Sequence, residues 1–156
     1  MTDNPSNTPN PVLLWPIHFA FMLAIPIYAL LVFLLRPEAP LARLSLLPVV
    51  LLVAGLGAPL VGLLVGRLMH AAAVRPGIDP PTRLARRLAT VIMQDAFYES
   101  AALFGLIGSF FGMPLWVTGV LMVVSLGFLT SQIPMIRRSV AEAHEAGAPQ
   151  AAADRT

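Results

Sequence analysis

The sequence predicts an all-α polytopic membrane protein, a bundle of four transmembrane helices, and three observations carry that prediction. Hydrophobic residues make up 57% of the chain and charged residues 12%. A soluble domain carries about 25% charged residues, so this chain has too little polar surface to cover a water-exposed fold. Four apolar stretches, each long enough to cross a bilayer core of about 30 Å, follow one another, and three of them contain no formal charge. The ten basic residues, all arginine, stand beside these stretches and not within them.

The 156 residues make one domain by length, divided into a polar N-terminus (1–11), a membrane domain (12–138) and a tail (139–156). Met1 to Pro11 has no basic residue and so lacks the charged start of a signal peptide, and the first apolar stretch is expected to be retained. Span one covers 12–35, and Pro26, which has no amide donor, predicts a kink near residues 22–26. Arg36 to Arg43, with two prolines, is a compact connection. Span two covers 44–66. Residues 67–87 read as the longest connection, punctuated by Arg75-Pro-Gly and Asp79-Pro-Pro and ending in Arg83, Arg86 and Arg87. Span three covers 88–111, Gly112-Met-Pro114 is a tight turn, and span four covers 115–136. The tail after Ser139 is rich in Ala and Glu, and Gly147-Ala-Pro149 with its polar end predicts flexibility.

Arginines collect on the cytoplasmic side of a membrane. With four spans, the N-terminus, the second connection and the tail share a side that holds eight arginines, and the opposite side holds Arg36 and Arg43. Both termini are therefore expected in the cytoplasm. Trp15 and Trp116, near opposite span ends, read as interfacial anchors. The arginines are explained by orientation, so the net charge of +2 implies a lipid bilayer as partner and no nucleic acid. Without cysteine there is no disulfide framework or thiolate site. Three scattered histidines make no metal pattern, and no phosphate loop, nucleophile elbow or metalloprotease signature is present. The expectation is a chain without catalytic residues, metal or cofactor.

In lipid, helices associate through close packing, and small residues let backbones approach. Span two carries Ala58, Gly62 and Gly66 at four-residue spacing, with Gly55 and Gly57 one turn earlier. Span three carries Ala101 and Gly105, then Gly108 and Gly112. The two stripes are expected to face each other.

Asp95 and Glu99 are the chemical lead. Four residues apart, they lie one turn and about 6 Å along one face of span three. A charge at mid-bilayer costs roughly 2.5–3.5 kcal/mol on an insertion scale. No arginine or lysine lies within a span to neutralise the pair. Burial and mutual repulsion both favour a neutral carboxyl, so at least one of the two is expected to hold a proton near neutral pH. Gln94 and Tyr98 adjoin the pair, and Ser125, Thr130, Ser131 and Gln132 of span four are candidate polar partners. His18 is a supporting candidate, placed near the cytoplasmic end of span one, where it reaches water. A proton- or cation-binding site is one reading of Asp95 and Glu99, and polar glue between helices is the other.

The run Glu99-Ser-Ala-Ala-Leu-Phe-Gly105-Leu106 resembles the carboxylate helix of the rotary ATP synthase proteolipid, subunit c. The preceding glycine-bearing helix and the Arg75-Pro76 loop are similar in order to that family's hairpin, over roughly residues 55–111. The resemblance implies that Glu99 is a proton- or sodium-binding carboxylate. The whole chain resembles small four-span bacterial membrane proteins of unassigned function, whose third helix has a similar acid-Ala-Leu-Gly run and whose fourth ends in a Pro-basic segment, here Pro134-Met-Ile-Arg-Arg138. That likeness implies the bacterial inner membrane. A four-span exporter of the small multidrug-resistance type requires a glutamate on the first helix, which this chain lacks. The alternative to a proteolipid-like site is an accessory or assembly subunit, with a homo-oligomer or a larger membrane complex as partner and the acids structural.

Overall fold

A computed structural model describes residues 11–35, 46–73, 75 and 77–153. The N-terminal segment 1–10, the first connection with Arg36 and Arg43, Pro76, and Arg155 lie outside the described residues. The described chain is all-α: a 3-10 turn at Pro11–Leu13, then α1 (Leu14–Leu35), α2 (Leu47–Ala73), α3 (Pro80–Phe110) and α4 (Leu115–Ala153). No strand occurs among the described residues.

Three stretches are long and apolar enough to cross a membrane: Leu14–Leu35, Leu47–Ala73 and Leu115–Glu142. Their outer faces carry large exposed apolar side chains, including Phe33 at 85% exposure and Val123 at 71%. A surface of this kind suits lipid and not water, and the chain is a membrane protein on that ground. The fourth helix, α3, carries Arg83, Arg86, Arg87, Asp95 and Glu99 and is the most polar, and it packs against all three others.

Burial follows a 3.5-residue period. The buried positions are Leu14, His18, Ile25 and Val32 on α1 and Gly55, Pro59, Gly62, Gly66 and Ala73 on α2. On α4 they include Leu121, Ser125, Leu129, Gln132 and Ile136. Alternating steps of three and four are the seams of left-handed helix packing. Gly66 stands opposite Gln94, Gly62 opposite Phe97 and Tyr98, and Gly55 opposite Phe104, so α2 runs antiparallel to α3. Ser125 and Gln132 meet Tyr98 while Gly105 meets Leu121, which makes α4 antiparallel to α3 as well. His18 meets Asp95 and Tyr28 meets Glu99, so α1 and α3 are parallel. The core stacks in layers, from Leu14, Val91 and Ile136 at one end to Met113, Val117 and Leu121 at the other.

The connection expected over 67–87 is much shorter, because α2 runs on to Ala73 and α3 starts at Pro80. Asp79 caps α3: its carboxylate accepts from the Thr82 amide at 2.9 Å, with proline in the first helical turn, where no amide donor is needed. Arg86 closes the other side of this turn by donating to the Ala72 carbonyl at the end of α2 (3.2 Å). At its far end α3 stops in a Schellman turn, with the Met113 amide on the Gly108 carbonyl (2.9 Å) and Gly112 at φ +91°. Helix α1 continues past Pro26, and α4 continues through Pro134 to Ala153, so the tail predicted to be flexible extends the same helix. Alanine and glutamate are good helix formers, and α4 supplies the preceding turns on which they propagate.

Candidate functional site

One turn inward from the Leu14, Val91 and Ile136 layer, each of these helices presents a polar side chain. His18 follows Leu14 by four residues, Asp95 follows Val91 by four, and Gln132 precedes Ile136 by four. The His18 Nδ1 lies 2.8 Å from the Asp95 Oδ2, and both side chains are 1% exposed. The His18 Nε2 and the Asp95 Oδ1 are also buried and have no hydrogen-bond partner among the described residues. With one proton between them the pair is net neutral, whether that proton sits on imidazole or on carboxyl. Such a pair lets a carboxyl lie in a bilayer at a lower cost than an isolated charge.

Glu99, half-buried one turn along α3, accepts a hydrogen bond from the Tyr28 hydroxyl. Both acids of α3 are therefore engaged by side chains of α1. No hydrogen bond joins Asp95 to Glu99 among the described residues; each meets a different side chain of α1.

Tyr98, fully buried, is the centre of a second network. Its hydroxyl accepts from Gln94 Nε2 (3.3 Å) and Gln132 Nε2 (3.2 Å), and its carbonyl accepts from the Ser125 hydroxyl (2.6 Å). Its ring stacks on Phe128 with centroids 5.0 Å apart. Gln94 also reaches the Gly62 carbonyl of α2 at 3.5 Å. These contacts tie α2, α3 and α4 together, and His18 ties α1 to the same layer. The Gln94 Oε1 and Gln132 Oε1 are buried and have no partner among the described residues, which adds two acceptors to the Asp95 oxygen.

The small residues of α2 make room for this layer. A β-carbon added at Gly66 falls 1.9 Å from Gln94 Nε2, and one added at Gly62 falls 2.8 Å from the Phe97 Cβ. Ala58 is only half-buried because the 3.5-residue seam runs through Pro59. Ala101 is fully buried. Gly105 packs on Leu121 and the Thr118 carbonyl of α4, and Gly108 receives the Met113 side chain. The small stripe of α3 thus faces α4 and the turn, while that of α2 faces large α3 side chains. The two stripes do not face each other as expected.

Among the other sequence candidates, Thr130 and Ser131 return their hydroxyls to carbonyls of their own helix and are exposed. The His18 side chain does not reach water as expected but is buried inside the bundle, because its position on the α1 seam turns it toward α3. Tyr28 is the partner that sequence reasoning missed. It falls on the same seam, three residues after Ile25 and four before Val32, and the apolar sequence of α1 carries no polar face to mark that seam. No group of three or more His, Cys, Asp or Glu that could hold a metal ion occurs among the described residues.

No family model matches the chain, and no curated protein or solved structure matches it.

Proposed function

We propose that this chain is a four-span, proteolipid-like membrane protein that binds and releases protons at Asp95 and Glu99, and that proton binding changes how α1 sits on α3. The observation that carries this reading is the engagement of both acids by α1, through His18 and Tyr28. A proton added to or removed from the His18–Asp95 pair leaves a net charge inside the bundle. That charge is expensive in a low dielectric, so the contact between the helices is expected to respond. A proton is favoured over a metal cation because the imidazole of His18 already occupies one Asp95 oxygen.

The crossing of α3 is supported by its length, 31 residues or about 46 Å, and by its place between three apolar helices. Its antiparallel relation to α2 and α4 is that of alternate crossings. The eight-to-two arginine imbalance orients the chain with both ends in the cytoplasm, and the bacterial inner membrane follows from the resemblance given above.

A second reading, a non-catalytic assembly subunit with structural acids, draws on the Tyr98 network, which joins helices without a carboxylate or an imidazole. Labelling in native membranes by an apolar carbodiimide, read by intact mass across pH, separates the two. Labelling that falls as pH rises and disappears in Glu99→Gln marks a protonated carboxyl reachable from lipid and supports proton binding. Absence of labelling at every pH favours the structural reading.

A further inference from the structure

Outward from the buried layer, a groove opens between the last turns of α2, the start of α3 and the second half of α4. Its volume is about 390 Å³, and its polar lining includes His70, Arg87, Thr90, Ser131, Arg138 and Glu142. The charges do not balance. Arg87 donates to the Glu142 carboxylate through one guanidinium nitrogen, while its Nε is buried with no acceptor among the described residues. Arg138 has neither an ion pair nor a hydrogen bond among the described residues. Two arginines and one glutamate line the groove, and the Glu142 side chain is 60% exposed, free to swing away.

Two hydroxyls of the lining turn their protons to backbone carbonyls of their own helices. Thr90 donates to the Arg86 carbonyl (2.8 Å) and Ser131 to the Phe128 carbonyl (2.6 Å). An oxyanion is the ligand that the two arginines suit. Guanidinium groups match phosphate oxygens in geometry and hold them through charge-assisted hydrogen bonds. The depth of the groove fits this ligand. Arg87 stands directly before the apolar run of α3, and Arg138 directly after that of α4, where the hydrocarbon gives way to lipid phosphates.

We propose that this groove binds a phosphate oxyanion between Arg87 and Arg138, with Glu142 as the internal carboxylate that the ligand displaces. The site is independent of Asp95 and Glu99 and stands or falls apart from their protonation.

The test is native mass spectrometry of the full chain in mild detergent, titrated separately with phosphatidylglycerol, phosphatidylcholine and inorganic phosphate. Preferential retention of phosphatidylglycerol over phosphatidylcholine is expected. That preference should weaken by about tenfold in Arg138→Gln, the loss of one hydrogen-bonded charge, and strengthen roughly two- to fivefold in Glu142→Gln, the removal of an exposed competing ion pair. If inorganic phosphate binds with the same response to both variants while the two lipids bind alike, the ligand is the free anion and the site stands. Equal retention of both lipids without phosphate binding overturns the proposal. So does a Glu142→Gln chain that binds no more tightly than the parent, an outcome that a folding defect in Arg138→Gln cannot obscure.

Discussion

The His18 Nδ1 lies 2.8 Å from the Asp95 Oδ2 across the α1–α3 interface, and neither side chain reaches the surface. Removing one partner leaves the other buried without its counterpart, which costs about 3–5 kcal/mol, whereas replacing both with apolar residues of similar volume costs far less. His18→Leu and Asp95→Leu are each expected to destabilise the bundle by that amount. The double variant His18→Leu/Asp95→Leu should be more stable than either. Reversible unfolding in micelles gives the three values, and additive losses would show that the two side chains do not act as a pair.

The glycines of α2 are expected to differ according to what they face. In Gly66→Ala the new methyl meets the mobile end of Gln94, which swings aside and gives up its bonds to Tyr98 and the Gly62 carbonyl. In Gly62→Ala it meets the Phe97 Cβ, which is fixed to the α3 backbone, so the helices themselves must separate. Overpacking of this kind costs about 1–3 kcal/mol, with Gly62→Ala the worse of the two. Gly57→Ala and Gly119→Ala, where a β-carbon meets nothing within 4 Å, should be neutral or slightly stabilising. Thermal unfolding of the four variants checks the order.

Asp79 supplies a pH-dependent cap at the start of α3. Its carboxyl is held below the ordinary range, first by the hydrogen bond from the Thr82 amide. A carboxylate stabilised in this way adds to helix stability above its unfolded pKa, and that contribution is lost as pH falls through the lowered folded value. Protection of the first α3 amides from hydrogen exchange should therefore fall on acidification. Asp79→Ser should keep the cap and lose the pH dependence, and Asp79→Ala should lose both.

The chain has no cysteine, so single thiols report sidedness directly. If α3 crosses the membrane, Arg75→Cys and Pro114→Cys, at exposed sites on either side of it, react with an impermeant reagent from opposite faces. Arg75→Cys should react from the cytoplasmic face. Reaction of both from the same face would mean that α3 does not cross.

The helices were legible in the sequence because apolar length and turn residues are local signals. Gly112 and Pro114 mark the end of one helix and the start of the next, and the acids of α3 stand out by chemistry alone. Their partners were not legible. A uniformly apolar helix such as α1 has no polar face to show which side is buried, so nothing in composition turned His18 or Tyr28 toward α3. The stripe of α2 was assigned a four-residue step where packing follows 3.5, and so Ala58 was named in place of Pro59. The second connection reads as long in the sequence because Arg67 on one side and Arg83, Arg86 and Arg87 on the other end an apolar run without ending a helix. Asp79, Pro80 and Pro81 marked the true start of α3.

Reversible protonation of Asp95 and Glu99 is tested most directly by pH-difference infrared spectroscopy of the protein in bilayers, with Asp95→Asn and Glu99→Gln as controls. Protonated-carboxyl C=O bands should appear and vanish reversibly as pH is cycled, one band lost in each variant, and the Glu99 band should shift in Tyr28→Phe. A spectrum with no carboxyl band that responds to pH would contradict proton binding and leave the two acids as fixed links between α1 and α3.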